Sequence, residues 1–185
     1  AQLHLKSPGL HNVRNALAAA AAGVALDIPV AVIAAGLARF QGVKGRLQQK
    51  TTPGGAVIID DTYNANPDSV RAAVDVLAAV PGRRVLVLGD MGELGGRGPQ
   101  LHAEIGAYAR TAGIERLFLL GELSASTARA YGAGALHCES VETLVAALTP
   151  HLGAGVTVLV KGSRFMRMER VVDALTAGGG DEEHA

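Results

Sequence analysis

The sequence predicts an α/β fold, a mostly parallel sheet with helices on both faces, preceded by a short helical stretch. Three observations predict it. Short continuous apolar runs recur at Ala56 to Ile59, Arg84 to Leu88, Arg116 to Leu120, Ala135 to His137 and Val156 to Val160. They do not alternate with polar residues, which is the pattern of strands buried on both sides. Helical periodicity fills the gaps between them, and alternating strands and helices build parallel sheets. Hydrophobic residues make up 49% of the 185 while aromatics make up only 3%, and 24 residues are glycine. A core of that kind packs backbone close to backbone, as layered α/β proteins do.

Taken in order, residues 1 to 8 read as the end of a strand, with Leu3 and Leu5, and then a turn at Ser7-Pro8-Gly9. The chain does not open with Met, and a preceding part is expected. A helix follows from about His11 to Leu26. Asn12 and Asn15 are three apart and His11 and Asn15 four apart, so these groups cluster on neighbouring rows of the first turns. They either face a ligand at the electropositive helix start or are solvated and capping. Asp27-Ile28-Pro29 breaks the chain before a second helix, about Val30 to Phe40, apolar at Val32, Ile33, Leu37 and Phe40. Gln41 to Leu47 is a glycine-punctuated linker with two cations, Lys44 and Arg46. It divides the chain into 1–43 and 44–177, with 178–185 a flexible, glycine-rich and acidic tail. By itself Arg46 reads as an ordinary exposed arginine. Helices are expected over Pro67 to Ala79, Pro99 to Ala112, Leu123 to Tyr131, Val141 to Leu152 and Met166 to Leu175.

The chemistry concentrates where strands end. The run Ala56 to Ile59 stops at Asp60-Asp61 and continues Thr62-Tyr63-Asn64-Ala65-Asn66-Pro67. A strand that ends in paired carboxylates and restarts as a helix puts polar groups at the carboxyl edge of a sheet, where open α/β sheets bind ligands. Asn66 as N-cap and Pro67 at the first helical position account for those two residues. Capping does not account for Asp60, Asp61, Tyr63 and Asn64 together. Arg84 to Leu88 runs into Gly89-Asp90-Met91-Gly92-Glu93-Leu94-Gly95-Gly96, whose spacing is wrong for a dinucleotide fingerprint and whose acids oppose a phosphate. That loop either faces a cationic group or is structural. His102 reads as a surface or packing histidine. Val156 to Val160 runs into Lys161-Gly162-Ser163-Arg164, a cationic loop in which Arg164 is able to grip a carboxylate or phosphate bidentately. The bland reading is a glycine turn with two solvated cations.

Several classes are excluded. Formal net charge is zero and no basic stripe is present, which argues against nucleic acid. A single cysteine, Cys138, precludes an internal disulfide and fits a reducing compartment. The alanine-rich run Ala16 to Ala22 is too short for a membrane span. There is no G-x-x-x-x-G-K-[ST], no metal-spaced Cys/His set and no G-x-S-x-G.

These motifs, in this order, resemble the Mur ligases. Gly9-Leu10-His11-Asn12-Val13-Arg14-Asn15-Ala16-Leu17 is similar to the family's H-N-x-x-N-A motif. Gly45-Arg46-Leu47, the stretch Asp60 to Pro67, Leu88 to Gly95 and Val160 to Arg164 resemble its later markers, and together they cover about Leu5 to Leu175. The D-D-x-Y-N-A-N-P form resembles the member that adds D-alanyl-D-alanine to UDP-N-acetylmuramoyl-tripeptide. The resemblance implies a C-terminal Rossmann-like domain from residue 44, preceded by the last part of a central ATPase domain. It implies an ATP-dependent amide ligase of bacterial peptidoglycan synthesis, cytoplasmic and monomeric, using Mg2+, with phosphates and metal held mainly by domains outside this chain. The fragment alone is expected to be inactive, and the C-terminal domain to swing on the Gly42 to Gly45 linker. Carried over by motif, Asn12 and Asn15 face the adenine side, Arg46 approaches the phosphates and Asp61 holds the ribose hydroxyls. Asn64, Asn66, Ser163 and Arg164 sit near the dipeptide, with Arg164 at its carboxylate, and Arg46 and Lys161 are the catalytic cations. Gly92 departs from the pattern, which has a larger apolar residue there. Other amide ligases, such as a folylpolyglutamate-type enzyme, and a nucleotide-binding module without chemistry are the alternatives. Asn64-Ala65-Asn66 argues against the former, and the acidic loop at Asp90 and Glu93 disfavours a nicotinamide oxidoreductase.

Overall fold

The computed structural model describes residue 5, residues 10–40 and residues 43–177. The strand and turn expected before residue 9, apart from Leu5, lie outside the described residues. So do Gln41 and Gly42 of the linker and the tail from residue 178. The chain forms two compact units, residues 1–43 and 44–185.

The first unit is a pair of helices, α1 (Leu10–Ala25) and α2 (Val30–Arg39). Asp27, in the left-handed region at φ 57°, and Pro29 turn the chain between them. The helices approach at Gly23, where a Cβ would sit 2.8 Å from the Cδ1 of Ile33. Ala16 is the one fully buried apolar residue among those described here, while Leu17, Leu26, Val32 and Phe40 are exposed. The apolar residues expected on α2, Val32, Ile33 and Leu37, share the helix with no buried residue, and Phe40 follows its end.

The second unit is a six-stranded sheet in the order β1-β2-β6-β3-β4-β5. Its strands are β1 (Gln48–Thr51), β2 (Val57–Asp61), β3 (Arg83–Gly89), β4 (Arg116–Leu120), β5 (Ala135–Cys138) and β6 (Val156–Lys161). All neighbours are parallel except β1 and β2, which are antiparallel. The helices are α3 (Pro67–Ala78), α4 (Gly98–Thr111), α5 (Ser124–Tyr131), α6 (Val141–Leu148) and α7 (Glu169–Thr176). The connections β2 to β3, β3 to β4 and β4 to β5 step one way across the sheet, and β5 to β6 steps back. Right-handed crossovers then put the intervening helices on opposite faces. The two cores agree. Ile59, Leu86, Leu88, Leu117, Leu119 and Leu159 meet α3 and α4 on one face. Ile58, Val85, Val87, Phe118, Val158 and Val160 meet α6 and α7 on the other. The four inner strands β2, β3, β4 and β6 supply both faces by their two-residue period, which is why their runs are continuously apolar.

Three elements differ from the sequence expectation. β1 is built from Gln-Gln-Lys-Thr and carries no apolar signal; it is an edge strand, where polar residues are tolerated. The helix expected over Val141 to Leu152 ends at Leu148 and tightens into one 3-10 turn. The helix expected from Met166 begins at Glu169, because Arg164–Met166 form a 3-10 turn and Arg167 is left-handed at φ 50°.

Candidate ligand site at the carboxyl edge of the sheet

Asp60 and Asp61 are adjacent on β2 and so face opposite sides of the sheet. Asp60 is buried and bound to the edge strand: Lys50 Nζ donates to its Oδ2 at 3.1 Å and Thr62 Oγ1 to its Oδ1 at 2.7 Å. Asp61 lies on the α3 face. Its register partner on β6 is Lys161, so the two side chains leave neighbouring strands on the same side. Lys161 is 3% exposed; its Nζ donates to Asp61 Oδ2 at 2.6 Å and to the carbonyl of Asn64 at 2.8 Å. The ammonium therefore ties the strand end to the loop that follows it.

Ser163 does the same one step further on. It is buried, its N–H donates to the Asp90 carbonyl at 3.0 Å, and its Oγ donates to the Ala65 carbonyl at 3.1 Å and accepts from the Gly92 N–H. The loops after β2, β3 and β6 are thus laced together at one edge. A Cβ at Gly162 would lie 3.3 Å from the Cα of Gly89, so the glycine permits the close approach of two strand ends. Asn66 caps α3: its Oδ1 accepts from Ser69 N–H at 2.8 Å and Ser69 Oγ accepts from Asn66 N–H at 3.0 Å. Asn64 is exposed, and its Oδ1 accepts from the Ala65 N–H at 2.8 Å.

Arg46 and Arg164 are exposed cations at this edge. The segment before β1 turns through left-handed Gly45 (φ 72°) and Leu47 (φ 51°), which seats Leu47 in the core. Arg46 then projects outward, its guanidinium carbon 4.6 Å from the ring centroid of Tyr63. Arg164 Nη1 donates to Glu169 Oε1 at 3.1 Å on the first turn of α7.

Asp90 is turned into the fold. Its carboxylate is buried and accepts from the N–H and Oγ of Ser124, both at 2.7 Å, and from the Leu123 N–H at 3.1 Å. It caps the start of α5 from a neighbouring strand end, so the structural reading of the acidic loop applies to Asp90. His102 is a packing histidine: its Nδ1 reaches the Gly98 carbonyl at 2.8 Å and its Nε2 accepts from the Met91 N–H at 3.0 Å. With Nε2 accepting and Nδ1 donating, the ring is the neutral tautomer, so its 3.9 Å approach to Asp90 is not an ion pair. At Gly92 a Cβ would sit 2.9 Å from the exposed ring of Phe165, which occupies the space a larger residue would need.

The family model described as Mur ligase, glutamate ligase domain, matches residues 45–164. The chain belongs to the Mur ligase family. It is 42% identical over 177 residues to UDP-N-acetylmuramoyl-tripeptide--D-alanyl-D-alanine ligase of Escherichia coli, a match covering 95% of this chain and 39% of the relative. A crystal structure of MurF from Acinetobacter baumannii superposes with a TM-score of 0.84 at 34% identity, over 95% of this chain and 39% of that one. MurF from Thermotoga maritima in complex with ADP gives 0.82 at 25% identity, over 92% and 39%. The chain thus spans about two fifths of the length of the relatives it matches.

In this Mur ligase chain the edge brings together Arg46, Asp61, Asn64, Asn66, Lys161, Ser163 and Arg164 within the second unit. Asn12 is half-buried and Asn15 exposed on α1 of the first unit. The sequence reading did not name the side chains that hold these groups. Lys50, Ser124 and Glu169 each hold a charged group in place and carry no motif signal, while Thr62, inside the Asp60 to Pro67 stretch, holds Asp60. Among the described residues no group of three or more His, Cys, Asp or Glu is placed to hold a metal ion, and no helix is long and apolar enough to cross a membrane.

Proposed function

We propose that this chain is the C-terminal part of a cytoplasmic, ATP-dependent amide ligase that joins D-alanyl-D-alanine to UDP-N-acetylmuramoyl-tripeptide in peptidoglycan precursor synthesis. The observation that carries the reading is the lacing of the D-D-T-Y-N-A-N-P loop to the K-G-S-R loop through Lys161 and Ser163. It supplies a rigid edge with an acceptor, Asp61, and two exposed guanidinium groups, in a chain that aligns along 95% of its length with a relative of that name.

ATP would supply the phosphoryl group that turns the terminal carboxylate of the tripeptide into an acyl phosphate, leaving ADP, and the dipeptide amine would attack that carbonyl and expel phosphate. The residues here fit the nucleotide and not a protein-bound metal: a carboxylate that keeps a small exposed surface suits ribose hydroxyls and an exposed guanidinium suits phosphate. Mg2+ is accordingly assigned to the phosphates rather than to side chains of this chain. Asp61 accepts from the ribose, held in place by the ammonium of Lys161. Lys161 works by position, fixing Asp61 and the Asn64 carbonyl. Arg46 neutralises phosphate charge. Arg164, oriented by Glu169, takes the dipeptide carboxylate with its remaining N–H donors. The Asn64 carboxamide faces the dipeptide, while Asn66 and Ser163 hold the loop that presents it. Asn12 and Asn15 are assigned to the adenine side on their motif alone. The residues 1–43 belong, in this reading, to the central ATP-binding domain. Positioning and charge neutralisation carry most of such a reaction.

The test is phosphate release by the uninterrupted protein that contains this chain. Release that needs both UDP-N-acetylmuramoyl-tripeptide and D-alanyl-D-alanine supports the reading. Release that proceeds with glutamate in place of the dipeptide, or with neither, rejects it.

A further inference from the structure

We infer that Tyr63 is a positioning residue for Arg46, holding its guanidinium at the sheet edge in the orientation that receives nucleotide phosphates; this rests on the role proposed above for Arg46. Tyr63 is 46% exposed, so core packing does not explain an aromatic ring at this place. The ring instead carries the guanidinium carbon of Arg46 at 4.6 Å from its centroid.

The backbone is built for this contact. The Tyr63 N–H donates to the Gly45 carbonyl at 3.0 Å, and the Gly45 N–H donates to Gln48 Oε1 at 3.2 Å. A Cβ at Gly45 would meet the Tyr63 nitrogen at 3.0 Å and Thr62 Oγ1 at 3.1 Å, and its φ of 72° also calls for glycine. Leu47 accepts a left-handed conformation, uncommon for a bulky residue, and is buried against the same core as Ile59 and Ala65. Arg46 is therefore pinned on both sides, by Gly45 to the Tyr63 backbone and by Leu47 to the core.

A guanidinium stacked on a ring keeps its N–H groups free, because they radiate in its own plane while the ring occupies one face. The stack thus restricts the long side chain before an anion arrives and leaves the donors that bind it. An arginine already ordered loses less freedom on binding than one on an open surface.

Two measurements test this. In this chain, the Arg46 Nε–H resonance is expected to show an upfield ring-current shift that survives Tyr63→Phe and disappears in Tyr63→Leu. In the uninterrupted protein, Tyr63→Leu is expected to raise KM for Mg·ATP about fivefold, the scale of an exposed cation–π contact. Tyr63→Phe should stay within about twofold, with KM for D-alanyl-D-alanine unchanged in both. Arg46→Ala combined with Tyr63→Leu should be no worse than Arg46→Ala alone. A missing ring-current shift, or a Tyr63→Leu effect that persists in the Arg46→Ala background, overturns the inference while leaving the ligase reading intact. A normal shift with an unchanged ATP KM in Arg46→Ala removes the nucleotide role of Arg46, and this inference falls with it.

Discussion

Asp61 and Lys161 are register partners at the ends of β2 and β6, and their carboxylate and ammonium meet at 2.6 Å beneath the loop that leads into α3. Removing one member of such a pair leaves a poorly solvated charge without its partner. Lys161→Met is expected to lower stability by about 3 kcal/mol, read from urea unfolding of this chain. Asp61→Asn should cost a similar amount. Lys161→Met with Asp61→Asn should cost clearly less than the sum, since the second change removes the group the first left unpaired.

Asp90 should behave as a fold residue. Its buried carboxylate accepts from backbone and side chain at the start of α5, and hydrogen bonds to a charged group are the stronger kind. Asp90→Ala is expected to destabilise by about 3 kcal/mol in chemical denaturation. With the protein kept folded at low temperature, KM for ATP in the uninterrupted protein should move by less than about twofold, since the carboxylate is engaged by Leu123 and Ser124 within the fold.

Gly106 sits in α4 where α5 passes closest. Alanine normally favours a helix over glycine by about 1 kcal/mol. Here an added Cβ would collide with the Thr127 carbonyl, a backbone atom that has no room to swing away. Gly106→Ala is therefore expected to lower stability, by about 2 kcal/mol net, because overpacking outweighs propensity. A rise in Tm would show that α4 and α5 do not pack this closely.

Tyr131 gives a pH signature. Burial first, and then Glu115, push its phenol above the ordinary value near 10. Its Oη donates to the Ile114 carbonyl at 2.6 Å, a bond that needs the proton. The folded state holds this proton where the unfolded state releases it. The contribution is complete below about pH 10 and declines as pH rises above that value. Urea midpoints across pH 9 to 11 should fall more steeply for the wild type than for Tyr131→Phe. Tyr108, raised by its hydrogen bond to Asp75, adds a slope common to both proteins.

Much of this was legible in the residues. The central strands β2, β3, β4 and β6 announced themselves because strands buried on both faces have few polar positions to interrupt them, and β5 showed only as a short run at the other edge. β1 did not, since Gln48, Gln49 and Lys50 carry no apolar signal; pairing with β2 and the Lys50–Asp60 contact make it a strand. The carboxyl-edge loops were visible as polar motifs after apolar runs. What stayed hidden was how the charges are used. Asp60, Asp61 and Asp90 are equally acidic in sequence, yet one meets β1, one meets Lys161 and one caps α5. Those fates depend on strand parity and sheet order, which a linear motif does not encode.

The division of labour between the two exposed arginines is tested most directly by steady-state kinetics of the uninterrupted protein carrying Arg46→Ala or Arg164→Ala, with ATP and D-alanyl-D-alanine varied in turn. The account predicts separate effects: Arg46→Ala raises KM for ATP, and Arg164→Ala raises KM for the dipeptide, each by about tenfold or more while the other constant stays within about twofold. Equal effects of both variants on both substrates, or no effect of either, would contradict it.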